Sequence, residues 1–438
     1  MTVPEQPVRR RPLWKKLAVS VTTLLISYAV AEAILTALYI RGDIEPQAIW
    51  VHDIKGRRSA VEFDPVLGYR LDTEPTRMMI VSSNGTIESV GVFRGNNVGA
   101  PDEDDFSPRR GDKNRKRYVV FGDSFTSGLY MERNWPEVAE TLSEQQGTPV
   151  ELLNFSIDGG GLANWHRVLA EIIVADDYEI DGVVFAVFGS DLSRPLTFWD
   201  QVVPGNNQSM LLGRLSPASP ESRPDLRPPS SVGRDRLKPL ETWQTVSPQI
   251  FDQYLSGDRR PSVSRPFRYY LAAKCRAVFD GFLRRPDESR LLLESLQYFP
   301  DAELFFFDRR QMVTQVEQAL QKKQVPALVV HIPYRETLLA RAGAGSETTA
   351  FYLEAVGEVW EAQAFAKLIQ ADYVDGAEAF KGYGVEEIRA CWLPLDGHWN
   401  QAGAERFAEF VVPILQRWSE RQDHKSAGSG KRSGVDSK

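Results

Sequence analysis

Seven consecutive residues, Gly182-Val183-Val184-Phe185-Ala186-Val187-Phe188, carry no polar side chain. A strand that is apolar on both sides has to be covered on both, which is how the strands of parallel sheets are buried. The surrounding chain supplies the covers. Strand patterns at Tyr118–Phe121, Val150–Asn154, Ala327–Ile332 and Tyr373–Asp375 alternate with helical patterns at Trp135–Gln146, Ala163–Val174, Met312–Lys322, Phe351–Gln370 and Ala402–Trp418. Such alternation predicts an α/β fold, a three-layer doubly wound parallel sheet. No internal repeat is present.

Ligands of such sheets bind beyond the carboxyl ends of the strands. Small polar residues recur there: Gly122-Asp123-Ser124, Asn154-Phe155-Ser156, Gly189-Ser190-Asp191, His331-Ile332-Pro333 and Asp375-Gly376. Each one singly is also ordinary turn chemistry.

The 438 residues are 42% hydrophobic, ample for one large domain with insertions or two smaller ones. A net charge of −7 makes nucleic acid an unnatural partner. Cys275 and Cys391, the two cysteines, form neither a disulfide framework nor a zinc cluster, and whether they pair stays open. No cofactor or metal is expected.

Near the N-terminus, Leu17 to Ile40 is mostly apolar with one charge, Glu32. As a helix it spans about 36 Å, enough for a bilayer core of about 30 Å. Arg9, Arg10, Arg11, Lys15 and Lys16 precede it, so the positive-inside bias predicts a cytoplasmic N-terminus and an extracytoplasmic remainder, in the periplasm or at the cell surface. A cleaved signal peptide competes, because Ala29-Val30-Ala31 and Ala31-Glu32-Ala33 have small-x-small form. The apolar run continues past both, and a retained anchor is the expectation.

The expected organisation is a basic N-terminus over 1–16, an anchor over 17–40, stalk and leader segments over 41–116, a catalytic domain over 117–420 and a disordered tail over 421–438. Residues 203–298 form an insertion in that domain. Its first part, Val203 to Pro266, is rich in Pro, Ser and Arg and reads as a loop or lid. Phe267–Arg284 and Arg290–Tyr298 read as helices. Pro101 to Lys116 reads as a surface loop.

In Tyr118-Val119-Val120-Phe121-Gly122-Asp123-Ser124 an apolar strand meets a tight turn with a serine where a helix would begin. Backbone N–H groups and the helix dipole favour an anion there, so a nucleophile and its oxyanion site are built together. Taken alone, the tripeptide is also an ordinary turn and N-cap.

Of the five histidines, His52 lies just past the anchor and His424 in the tail, so neither is expected in a fixed site. His166 reads as a satisfied helix residue, and His331 sits near a strand end. His398 alone combines a nearby carboxylate with a short loop opening into a helix, in Asp396-Gly397-His398-Trp399-Asn400 and the residues after it. A general base needs a partner that fixes its tautomer and stabilises the imidazolium. The predicted chemistry is acyl transfer: Ser124 attacks an ester, His398 takes its proton and Asp396 orients the ring. The oxyanion donors are the N–H groups of Ser124 and Gly159, with the Ser190 hydroxyl as a third. The run Gly159-Gly160-Gly161 lacks the Lys-Ser/Thr ending of a phosphate cradle.

Together these segments resemble the SGNH/GDSL hydrolase superfamily, whose fold is flavodoxin-like. Gly122-Asp123-Ser124 is similar to its nucleophile block and Asn154-Phe155-Ser156-Ile157-Asp158-Gly159 to its second block, whose glycine supplies an oxyanion N–H. Gly189-Ser190-Asp191 falls where the third block has Gly-x-Asn-Asp, and Asp396-Gly397-His398 corresponds to the last. The resemblance covers roughly Arg117–Pro195 and Val325–Trp418. Asp64-Pro65-Val66-Leu67-Gly68-Tyr69 is also similar to the leader of membrane-anchored bacterial members. Two departures stand out. Ser190 replaces the oxyanion asparagine, and the acid lies two residues before the histidine rather than three. The Asp-x-His-Trp form is more similar to the branch containing alginate O-acetyltransferases and related exopolysaccharide-modifying proteins.

That resemblance implies a membrane-anchored serine esterase acting on acyl, chiefly acetyl, esters of extracytoplasmic glycans. A polysaccharide O-acetyltransferase with the same three residues is a second expectation. A catalytically inactive glycan-binding or envelope-assembly module, suggested by Ser190, is a third. Partners would be an acylated carbohydrate, the membrane and envelope polysaccharide machinery. Trp199, Trp243 and Trp392 are candidates for stacking on sugars or for core packing.

Overall fold

The computed structural model describes residues 13–41, 48–53, 55, 61–64, 66–82, 85–128, 131–189, 191–192, 243–259, 310–344 and 349–429. In chain order the elements are α1 (Leu13–Arg41), β1 (Ala48–Asp53), β2 (Val61–Asp64), β3 (Gly68–Leu71), β4 (Thr76–Ser82), β5 (Ile87–Phe93), β6 (Lys116–Phe121), α2 (Ser124–Ser127), α3 (Trp135–Gln145), β7 (Val150–Asn154) and α4 (Leu162–Val168). A π-helical turn, Leu169–Val174, continues α4. There follow β8 (Gly182–Phe188), β9 (Trp243–Val246), α5 (Pro248–Leu255), α6 (Arg310–Lys323), β10 (Ala327–Ile332), α7 (Arg335–Arg341), α8 (Thr349–Leu368), β11 (Asp372–Asp375), α9 (Val385–Ala390) and α10 (Gln401–Ser429).

Five strands form a parallel sheet in the order β11-β10-β8-β6-β7. Every residue of β8 and of β10 is buried, as their unbroken apolar runs require. Alternate strand residues enter two different cores. Val119, Phe121, Phe185 and Val329 pack with Trp165 of α4, Val316 of α6 and Phe365 of α8. Tyr118, Val120, Val184 and Val330 pack with Trp135 of α3 and with Phe407, Leu415 and Trp418 of α10. The parallel α/β expectation is met.

The stretch read as stalk and short extended segments carries more order than that reading supplied. β1, β4 and β5 form a sheet in the order β5-β4-β1-β9, while β2 and β3 form a hairpin. The last strand of that sheet, β9, lies inside the stretch read as a loop or lid and runs parallel to β1, with Trp50 opposite Trp243. Helix α5 follows it, capped by Ser247, whose Oγ accepts from the Ile250 N–H. Arg77 clamps this unit by pairing with Asp53 at 2.7 Å and Asp252 at 2.8 Å.

The unit and the hairpin also pack on the parallel sheet. Leu67, Tyr69, Leu71, Met78 and Ile80 share a core with Val119 and Phe155. His52, expected to lie outside any fixed site, is buried in β1, and burial pushes its pKa down to about 3. The surface loop expected from Pro101 starts buried: the Pro101 carbonyl accepts from the side-chain amides of Asn134 and Asn154.

Helix α1 is long and apolar enough to cross a membrane, with a mean hydropathy of 1.8 over Lys16–Leu38. Helix α10 continues through Ser429, past the start of the expected tail at Arg421. Arg, Gln and Lys are good helix formers even where no core supports them. The expected helices Phe267–Arg284 and Arg290–Tyr298 lie outside the described residues, as do Trp199, Cys275 and Ser190. Cys391 is buried.

Candidate active site

The turn after β6 is shaped by what glycine leaves out. A Cβ on Gly122 would sit 2.3 Å from Thr126 Oγ1. Asp123 caps the single helical turn α2, its carboxylate accepting the Phe125 N–H at 3.0 Å. Gly128 ends that turn at φ +65° and donates its N–H to the Ser124 carbonyl. Ser124 thus occupies the first helical position, 5% exposed.

His398, the candidate base, comes from the loop between α9 and α10. Trp392 and Trp399 form an antiparallel bridge, and Leu393 N–H donates to the His398 carbonyl at 2.9 Å, closing a tight excursion. Asn400 N–H donates to the Cys391 carbonyl, and Gly403 fits because a Cβ there would lie 2.3 Å from that oxygen. Within this excursion Asp396 Oδ1 accepts the backbone N–H of His398 at 2.9 Å and contacts His398 Nδ1. His398 Nε2 lies 2.7 Å from Ser124 Oγ. Three groups, with 274 positions between Ser124 and His398, therefore form one hydrogen-bonded line.

The electrostatics suit a proton acceptor that must become charged. Burial alone would depress the His398 pKa. The charge and hydrogen bond of Asp396 outweigh it, Asp158 and Asp123 add to them, and the net shift is upward. Burial pushes the Asp396 carboxyl up, but His398, its backbone N–H and Arg335 hold it below the usual carboxylate range. An ionised carboxylate beside an imidazole is what stabilises an imidazolium.

Gly159 stands at φ +72°, in the left-handed region that favours glycine. Its turn is tied to the nucleophile's turn, because Ile157 N–H donates to the Gly122 carbonyl at 3.2 Å. From the N-terminal hairpin, Tyr69 Oη donates to the Asp158 carbonyl at 3.2 Å, and Asn164 Nδ2 donates to the Leu67 carbonyl at 2.8 Å. Gly161 lies against the Asp191 carbonyl, where a Cβ would come to 2.1 Å.

Of the sequence candidates, the structure brings Ser124, His398 and Asp396 together and ties the Gly159 turn to Gly122. His331 pairs with Asp375 on the neighbouring strand, Nδ1 to Oδ1 3.3 Å. His166 Nδ1 lies 3.0 Å from the Leu162 carbonyl, as a satisfied helix histidine would. Trp392 is core: 1% exposed and packed on Phe380. Sequence reasoning missed Asp158, Asp123 and Arg335 as charges acting on the His398–Asp396 pair. Asp123 and Asp158 were in view as neighbours of Ser124 and Gly159, whereas Arg335 carries no local signal.

No family model matches the chain, and no curated protein matches it. Solved structures do. A putative acylhydrolase from Bacteroides fragilis matches at 10% identity and a TM-score of 0.32, covering 72% of this chain and 92% of that one. A lipase/acylhydrolase from Enterococcus faecalis matches at 13% identity and 0.31, over 70% and 96%. A catalytic mutant of an acetylxylan esterase from Geobacillus stearothermophilus matches at 10% and 0.32, over 69% and 93%. At such identities and TM-scores, the functional reading rests on this chain's own geometry.

Proposed function

We propose that this chain is a serine esterase of SGNH/GDSL type, built on a three-layer doubly wound sheet and acting on acyl esters of extracytoplasmic glycans, acetyl esters above all. The observation that carries this reading is the Ser124 Oγ–His398 Nε2 separation of 2.7 Å, with Asp396 on the opposite ring nitrogen. Hydrogen-bond reach between nucleophile and base, and between base and orienting acid, is the arrangement that activates a serine.

In the mechanism, His398 Nε2 accepts the Ser124 proton as Oγ forms a bond to the ester carbonyl carbon. Negative charge develops on the carbonyl oxygen, where the N–H groups of Ser124 and Gly159 and the Ser190 hydroxyl are the proposed donors. His398 then gives its proton to the departing sugar oxygen. Water, deprotonated by the same ring, attacks the acyl carbon, and His398 returns that proton to Ser124 Oγ as the carbon–Oγ bond breaks and the acid leaves. Asp396 remains ionised and holds the ring.

Helix α1 supports an anchor, and the basic residues before it support a cytoplasmic N-terminus with the catalytic domain outside. The test is acetate release from an acetylated glycan or from p-nitrophenyl acetate. Ser124→Ala abolishes it on this reading, and undiminished turnover by that variant refutes the nucleophile assignment.

A further inference from the structure

The loop bearing the acid and the base is held from two sides, and one of the holders belongs to the N-terminal sheet. In β5, the ladder to β4 places Ser89 opposite Ile80 but Ile87 opposite Val81, so Glu88 is the extra residue of a β-bulge. A bulge re-aims a side chain that a regular strand would have sent elsewhere, and bulges are over-represented beside active sites. Here the re-aimed carboxylate leaves its own sheet: Glu88 Oε2 accepts the backbone N–H of Leu395 at 3.3 Å. Leu395 immediately precedes Asp396. On the other side, Arg335 Nη1 donates to the Leu393 carbonyl at 3.3 Å, its remaining nitrogens engaging Glu336.

From this geometry we infer that Glu88 is a positioning residue for catalysis, through which the N-terminal sheet fixes the loop that carries Asp396 and His398. The inference rests on the esterase reading of that site. Glu88 fixes the loop by hydrogen bond and acts on its chemistry by charge. Half-burial and the neighbouring Asp396 anion both raise the Glu88 pKa. The charged groups around the loop are Glu88 from β5, Arg335 from α7, and Asp158 and Asp123 from the turns facing the His398 ring. An anion at Glu88 opposes ionisation of Asp396 and favours the protonated ring of His398. Its removal therefore moves the ring's titration to lower pH.

Full-length protein in detergent, labelled with 15N at leucine and histidine, tests this with Glu88→Ala and Glu88→Gln. Glutamine keeps an acceptor for the Leu395 N–H and loses the charge, whereas alanine loses both. In Glu88→Ala the Leu395 amide exchanges about tenfold faster or more. Its kcat on p-nitrophenyl acetate falls about ten- to a hundredfold with KM held within about twofold, the signature of a displaced catalytic group. Glu88→Gln retains the exchange protection and most of kcat. In both variants the His398 ring titrates at lower pH than in wild type. An unchanged Leu395 exchange rate in Glu88→Ala, or a His398 titration unmoved in both variants, overturns the inference. Should wild type and Ser124→Ala hydrolyse the ester equally, the esterase reading falls instead, and the exchange and titration still decide the role of Glu88.

Discussion

Trp399 Nε1 donates to the carbonyl of Phe125 at 3.2 Å, so the residue after His398 is bonded to the residue after Ser124. The two rings also meet edge to face, with centroids 5.1 Å apart, and the Phe125 ring lies 4.9 Å from the His398 imidazole. On the proposed mechanism, this contact helps to set the distance from His398 to Ser124. Trp399→Phe keeps an aromatic ring there, leaves a small void in a fully buried site and removes the donor to the Phe125 carbonyl. It is expected to cost upwards of about 1 kcal/mol of stability, read from the denaturant midpoint, and to lower kcat more than it changes KM.

On the proposed mechanism, Asp396 acts through charge as well as geometry. Asp396→Asn preserves the shape and removes the anion that stabilises the imidazolium, so kcat falls by roughly 10⁴ while the circular dichroism spectrum stays that of wild type. Rates equal to wild type would show that the acid takes no part.

The His398 shift sets the pH dependence of turnover. On the proposed mechanism the neutral ring is the base, so kcat/KM is expected to rise with pH through a midpoint above the ordinary histidine value of 6.5. In Asp396→Asn that midpoint moves down, because the chief cause of the rise is gone. Profiles of both proteins on p-nitrophenyl acetate check the direction.

A group of acids behind the site governs stability instead. Burial pushes Asp102 up to about 7, and Glu137 and Glu140 each up to about 8. Neighbouring carboxylates add to the shift in all three. Their folded pKa values exceed the unfolded ones, so the stabilisation is complete below about pH 4 and is lost as pH rises through about 7 to 8. Denaturant midpoints measured from pH 5 to 9 are expected to fall across that window. Glu137→Gln with Glu140→Gln flattens the curve.

Gly161 meets the Asp191 carbonyl so closely that a methyl group has no room. Leu162 N–H donates to that same carbonyl at 3.0 Å, so a displaced carbonyl also loosens the start of α4. Gly161→Ala is expected to cost about 1–3 kcal/mol, the range for forcing atoms into a packed site. A thermal melt reads it, and an unchanged midpoint would contradict the packing described.

What was legible in the chain was whatever a local pattern encodes. Val150–Asn154, Gly182–Phe188 and Ala327–Ile332 stand out as apolar runs, and the structure begins and ends these strands at the same residues. Asp396 and His398 stood out because a carboxylate and an imidazole two positions apart are rare among five histidines. The rest is fixed by distant partners. Strand β9 has Pro-, Ser- and Arg-rich flanks, and its identity as a strand comes from β1, nearly two hundred positions earlier. The Glu88 bulge is set by register against β4, and no local spacing announces it. Arg335 acquires its role only when α7 is folded against the loop after α9.

The parallel pairing of β1 with β9 has a consequence for how the protein is made. Trp50 leaves the ribosome early, whereas its partner Trp243 emerges only after β6, β7 and β8 have been synthesised. The sheet that follows the apolar N-terminal helix therefore waits, one edge open, while the residues between Asp53 and Trp243 are synthesised. Non-local closure of this kind is slow and leaves an unpaired strand available to wrong partners meanwhile. That edge of β1 stays open to pairing until Val246 has been synthesised.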